Sequence, residues 1–252
     1  MRLSKDNQYI KMITLLRERI EDFDQFPFSL PAISTFEQLR FHPNVTYIIG
    51  ENGMGKSTLL EAIAINYGFN PEGGTLNFRF SSFDSHSVLE RFIRLSKGVY
   101  KPKDGFFFRS ETYYNVASFI EELDAEPGGG PPIIQSFGGK SLHEQSHGES
   151  FFAAFMERFS GKGLYILDEP EAALSPIRQM SLLARIHELV EDGSQFIIST
   201  HSPLLMAYPD SVLYQLNDEK IKKVTLEESE HYQIMKQFFD NKDRLLHHLF
   251  RS

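Results

Sequence analysis

Residues 50–58 read Gly50-Glu51-Asn52-Gly53-Met54-Gly55-Lys56-Ser57-Thr58, the pattern G-x-x-x-x-G-K-S. No other stretch constrains the chain so strongly, because this spacing suits one ligand chemistry. The glycines let successive backbone N–H groups turn inward around phosphate oxygens, where side chains would obstruct them. Lys56 is then expected to reach the β- and γ-phosphates and Ser57 to ligate Mg²⁺, with Asn52, Gly53, Gly55 and Thr58 completing the cradle. The flanks agree with this. Val45-Thr46-Tyr47-Ile48-Ile49 predicts a strand entering the loop, and Leu59-Leu60-Glu61-Ala62-Ile63-Ala64 a helix leaving it. A bound phosphate would sit at a helix N-terminus, where the dipole favours negative charge.

The rest of the chain alternates short apolar runs with helical patterns. Gly163 to Leu167 is an apolar strand ending in Asp168-Glu169, Ile177 to Glu191 has a helical stripe, and Gln195 to Ser199 is another buried strand. That alternation predicts an α/β fold with a mostly parallel sheet flanked by helices. Residues 9–17 read as an early strand and 106–109 as a buried one, whereas Val88 to Leu95 and Thr112 to Leu123 suggest helices. Phe78-Arg79-Phe80 suggests a short strand, and the run Glu126-Pro127-Gly128-Gly129-Gly130-Pro131-Pro132 a loop. Residues 1–252 are expected to form one domain, with 67–135 a smaller antiparallel and helical lobe inserted into it. The end of the chain, 227–252, is expected to be a helical segment with Ile234, Phe238, Leu245 and Leu249 turned inward.

Composition closes off several classes of function. There is no cysteine, which excludes disulfides, thiolate catalysis and cysteine-bound metals. The formal net charge of −8 argues against a broad electrostatic grip on nucleic acid, so any such binding is expected to be weak for the chain alone. Lys220, Lys222 and Lys223 form a small basic cluster that reads as a solvated face. No apolar run approaches the roughly 18 residues a membrane span needs, and residues 1–8 lack the apolar core of a secretion signal. The cytoplasm is the expected address.

Asp168 and Glu169 form the second half of a nucleotide site. A carboxylate at the end of a strand can hold the Mg²⁺ that Ser57 also ligates. Its neighbour Glu169 can then orient and deprotonate an attacking water. The order G-E-N-G-M-G-K-S-T, S-H-G-E, L-D-E-P-E-A-A-L-S-P, S-T-H-S-P across Gly50 to Pro203 resembles the ABC-type ATPase superfamily. Within it, the order is most similar to the soluble SMC-like and RecF-like branch. The resemblance implies a phosphate-loop NTPase fold and a nucleotide held between two subunits. It also implies that Ser146, Gly148 and Glu149 contact the γ-phosphate held by the opposite subunit. Residues 172–176 would couple the two sites, and His201 would act as the switch histidine beside the γ-phosphate and the attacking water.

The chain departs from the family pattern in three places. The signature reads Ser146-His147-Gly148-Glu149, where transport ATPases carry two glycines and a glutamine. The glutamine expected between phosphate loop and signature is missing, and Glu111 is our candidate for its place as a metal ligand. The insertion is compact and has no sustained heptads, so no long coiled-coil arm is expected. ATP hydrolysis with Mg²⁺ is therefore the expected activity, and ATP-dependent homodimerisation the expected switch, serving a DNA-related or defence process through an effector protein. The alternative is the nucleotide-binding subunit of a membrane transporter. Phe26, Phe28, Phe36 and Phe41 are aromatics available to a base, but such residues are more often core, and none is assigned.

Overall fold

The computed structural model describes residues 1–76, 87–112, 118, 124, 152–153, 155–172 and 174–251. At its centre lie three strands buried along their whole length: β3 (Val45–Ile49), β7 (Gly163–Asp168) and β8 (Gln195–Ser199). Burial on both faces is why they read as unbroken apolar runs rather than alternating ones. They belong to a seven-stranded sheet of order β10-β9-β3-β8-β7-β6-β4. Here β4 is Gly74–Thr75, β6 Asp104–Arg109, β9 Ser211–Leu216 and β10 Ile221–Val224. Strands β9, β3, β8, β7 and β6 run parallel, and the two edges, β4 and β10, are antiparallel. Lys222 and Lys223, from the basic cluster, lie exposed on edge strand β10, where charge discourages pairing with another sheet.

Alternate residues of the strands feed two cores. On one face Tyr47, Tyr165 and Phe196 pack with Phe155, Phe159 and the stripe Leu182, Ile186 and Val190 of α3 (Pro176–Glu191). On the other, Ile48, Ile166 and Ile197 pack against α2 (Lys56–Tyr67). A second, antiparallel sheet of order β2-β1-β5 covers α2 from outside: β1 is Ile10–Leu15, β2 Gln38–Arg40 and β5 Ile93–Lys97. Held between two sheets, α2 buries Leu59, Leu60, Ala62, Ile63 and Ala64 and has little polar face to show. The short helix α1 (Pro31–Thr35) starts at a proline, which is tolerated in a first turn because the missing N–H has no helical partner there.

Several expectations change at this level. Residues 88–95 form a 3₁₀ turn, Val88–Arg91, and then enter β5, because Ile93 and Leu95 can alternate onto the core when paired with Leu15 and Ile13 of β1. Within 67–135, β5 pairs with β1, and β6 lies between β4 and β7, so these strands are shared with the body of the domain. The strand at 78–80, most of the helix at 112–123 and the loop at 126–132 lie outside the described residues. The C-terminal segment forms two helices, α5 (Glu230–Asp240) and α6 (Lys242–Leu249), rather than one; α4 is the short Pro203–Met206. Neither α5 nor α6 buries a residue, and Ile234 is 61% exposed, correcting the inward placement of their apolar positions. Helical spacing defines a stripe but not a surface for it to cover, and the sheet's core is already filled by α2 and α3. Among the described residues no helix is long and apolar enough to cross a membrane.

Candidate functional site

The C-terminal ends of β3, β7 and β8 open on one side of the sheet, where ligands of open α/β folds bind. After β3 the chain turns through Gly53 at φ 83° and Gly55 at φ 91°, values in the left-handed range that side chains resist. Gly55 also has no room for a methyl: a Cβ there would lie 2.9 Å from Leu30 Cδ1. Gly55 precedes α2, and no side chain caps that helix, so its first N–H groups remain available to an anion. The loop walls a cleft of about 340 Å³, within the usual range for small-ligand sites. Asn52, Gly53, Gly55, Lys56, Ser57 and Thr58 line it together with Phe26, Leu30, Glu111 and Glu169.

Lys56 is buried, and its Nζ donates to Glu51 O at 3.1 Å and stands 3.9 Å from Glu169 Oε1. Burial lowers its pKa, while Glu169, Asp168 and Glu51 act in the opposite direction. Ser57 Oγ donates to Asp168 Oδ1 at 3.1 Å, and the Ser199 hydroxyl donates to the same oxygen. The parallel register pairs Asp168 with Ser199, which explains the second contact. Burial raises the Asp168 pKa, partly offset by the two hydroxyls and by Arg109 on the neighbouring strand. A buried carboxylate and a serine hydroxyl beside a phosphate cradle are hard oxygen donors, and they fit Mg²⁺, which keeps phosphate and water oxygens for its remaining positions.

Glu169 adopts φ 51°, a left-handed conformation that costs a non-glycine residue of order 1–3 kcal/mol. Its N–H donates to Ser199 O at 3.2 Å and Ser199 Oγ at 3.1 Å, which hold the turn. Its Oε1 lies 3.2 Å from His201 Nε2, and this hydrogen bond holds the Glu169 carboxyl below its ordinary range despite partial burial. His201 is in turn fixed from behind, since its backbone N–H donates to Glu171 Oε1 at 2.6 Å. Burial raises the Glu171 pKa.

Through Ser199, which touches both Asp168 and the Glu169 N–H, the residues Lys56, Ser57, Asp168, Glu169 and His201 form one continuous set of contacts. Glu111 lines the same cleft, but its side chain is 79% exposed and lies 3.9 Å from Arg109 Nη2. Ser146, Gly148 and Glu149 lie outside the described residues. Of the four aromatics open to a base, Phe28, Phe36 and Phe41 are core, and only Phe26, at 61% exposure, faces the cleft. Sequence reasoning passed over Ser199 and Glu171, although both stand inside quoted motifs, because one strand's pattern does not reveal what a neighbouring strand presents to it.

Comparison with known proteins agrees with this geometry. Residues 19–118 match a family model described as "AAA domain", and 143–207 match "AAA domain, putative AbiEii toxin, Type IV TA system". The chain is 27% identical over 197 residues to the energy-coupling factor transporter ATP-binding protein EcfA2 of Methanospirillum hungatei, covering 73% of this chain and 48% of that protein. It is 26% identical over 187 residues to the hemin import ATP-binding protein HmuV of Pseudomonas aeruginosa, covering 68% and 71%. The chain spans about half or less of the first curated relatives it matches. A solved structure, "An inward-facing conformation of a putative metal-chelate type ABC transporter", shares the fold at TM-score 0.50 and 17% identity over 90% of this chain and 88% of that one. Parallel sheet, glycine loop and the acids that close the cleft define the class, a phosphate-loop NTPase. With its motifs in this order and relatives of this kind, the chain belongs to the ABC-type ATPase superfamily.

Proposed function

We propose that the chain binds ATP with Mg²⁺, hydrolyses it, and works as a switch that closes into a homodimer when ATP is bound. The observation that carries this reading is the convergence of Lys56, Ser57 and Glu169 on one cleft of suitable size, with the buried Asp168 bound to Ser57 behind it. Lys56 and the α2 N-terminus would bind the phosphates. Ser57 and Asp168, with Glu111 as a third candidate, would hold Mg²⁺, which would neutralise phosphate charge. Glu169 is held ionised, so it can accept a proton from the water that attacks the γ-phosphorus, while the bond to the ADP oxygen breaks. His201 would orient that water or the γ-phosphate. Ser146, Gly148 and Glu149 from a second copy would complete the site, so binding favours the closed pair and hydrolysis releases it.

The decisive experiment is ATP turnover and sizing of the wild type, Lys56→Ala and Glu169→Gln. Lys56→Ala should lose ATP binding. Glu169→Gln should bind ATP, turn over about a hundredfold or more slowly, and accumulate as a dimer. Unchanged turnover in Glu169→Gln would refute its role.

The process we favour is defence or DNA-associated, in the SMC-like and RecF-like branch, acting through an effector protein; the toxin–antitoxin description of the match at 143–207 supports the defence side. A second reading, a transporter's nucleotide-binding subunit, is supported by the names of the curated relatives. The departures at Ser146–Glu149 weigh against it, and co-purification with a membrane protein would favour it.

A further inference from the structure

His231 lies in the first turn of α5, and its Nε2 is 2.9 Å from His201 Nδ1, with the two rings 5.1 Å apart between centroids. The other nitrogen of His201, Nε2, faces Glu169. The opposite nitrogen of His231, Nδ1, is buried without a hydrogen-bond partner among the described residues. These contacts restrict where the protons sit. If His231 carries its hydrogen on Nε2, it donates to the Nδ1 lone pair of His201, and its own orphaned Nδ1 is only an unused acceptor. If the hydrogen moves to Nδ1, a buried N–H donor loses its partner, which is the costlier arrangement. Protonating both nitrogens of His231 is opposed by burial and by His201. A neutral His231 donating from Nε2 is therefore favoured, and it makes His201 Nδ1 an acceptor.

We infer that His231 is a positioning residue for His201: it fixes the His201 ring in its Nε2–H form, with that N–H aimed at Glu169 and the phosphate end of the cleft. The general rule is that one imidazole nitrogen's partner selects the tautomer presented by the other. Glu171 anchors the His201 backbone while His231 anchors the ring, so the histidine is held from two independent elements. The inference ties the C-terminal segment to the site, since α5 touches His201 through this side chain. It rests, for its effect on turnover, on the proposed role of His201 in ATP hydrolysis.

The test has two arms. In nucleotide-free protein labelled with ¹⁵N-histidine, long-range ¹H–¹⁵N correlation should find His201 protonated on Nε2, and His231→Ala should convert part of it to the Nδ1–H form. In kinetics, His231→Ala should lower kcat about tenfold with KM for ATP within about twofold, an effect typical of a partner that orients a reacting imidazole. His231→Gln, whose amide N–H can donate to the same nitrogen, should recover most of the loss. In a His201→Ala background the second substitution should cost nothing further. An Nδ1–H His201 in the wild type, an unchanged kcat in His231→Ala, or an equal loss in the His201→Ala background would overturn the inference. Wild-type turnover that survives Lys56→Ala would instead sink the ATPase reading, and the tautomer measurement would still decide the role of His231.

Discussion

The Ser57 hydroxyl donates to Asp168 Oδ1 across 3.1 Å, joining residues 111 positions apart. The contact ties the phosphate loop after β3 to the acid at the end of β7, although β8 separates the two strands in the sheet. Ser199, at the end of β8, donates to the same oxygen and fills the gap. One carboxylate oxygen thus gathers three elements around the place where we propose a cation.

That arrangement makes Asp168 a burden on the nucleotide-free fold. Burial raises its folded-state pKa above the unfolded value, so the folded state binds the proton more tightly. Stability therefore falls as pH rises from the unfolded pKa, near about 4, through the folded one, and the penalty is complete above it. Asp168→Asn removes the charge and keeps the acceptor oxygen. We expect its Tm to exceed the wild type's at neutral pH, with the difference closing toward about pH 4, while ATP turnover is lost. Thermal melts across pH, paired with a phosphate-release assay, measure both; a lower Tm at neutral pH would contradict the assignment of cost.

Phe26 is exposed at the cleft while its three candidate companions are core. Stacking of a base on an aromatic ring is worth about 1–3 kcal/mol. Phe26→Ala should therefore weaken ATP binding by about tenfold or more and leave tripolyphosphate binding unchanged. Calorimetry with both ligands distinguishes a base contact from a collapse of the loop, which would weaken both.

Glu111 lines the cleft in the region where the family's glutamine is missing. If its oxygen does that residue's work, Glu111→Gln should stay within about threefold of wild-type kcat, and Glu111→Ala should fall by about tenfold or more. Turnover measured over a Mg²⁺ titration is the check, and a wild-type-like alanine variant would return Glu111 to the surface.

Away from the cleft, the Tyr165 hydroxyl lies 2.8 Å from Asp104 Oδ2 and 2.6 Å from Ser160 O, and accepts from Ser160 N at 2.9 Å. Burial and Asp104 raise the phenol's pKa, so it stays neutral and able to donate. Tyr165→Phe removes these bonds, while Asp104 keeps Arg158 and Ser160, and Ser160 O keeps Ser194, so the change should cost about 1 kcal/mol in chemical denaturation. KM for ATP should not change, because the network lies at the opposite end of β7 from Asp168.

Much of this was legible in the chain itself. The phosphate loop, the strand before it and the helix after it are local features, set by glycine conformations and by apolar residues within a few positions of one another. Asp168, Glu169 and His201 could be named as candidates for the same reason, since each ends or closely follows a short apolar strand. The helix expected at 88–95 was not, because β5 exists only through pairing with β1, some eighty residues earlier. Nor was the placement of the C-terminal helices, whose pattern was correct while the surface it was expected to cover was already occupied by α2 and α3.

The sequence by itself determined the nucleotide-binding class and the parallel α/β architecture, and it named the candidate acids, because backbone sterics and side-chain chemistry act over short distances. Tertiary structure alone decided which hydroxyls meet Asp168, that Phe26 faces the cleft when Phe28, Phe36 and Phe41 do not, and that His231 stands behind His201. Each of these depends on strand order, register and helix docking. Those are set by how the whole core packs, and no local pattern encodes the distance between two residues that only packing brings together.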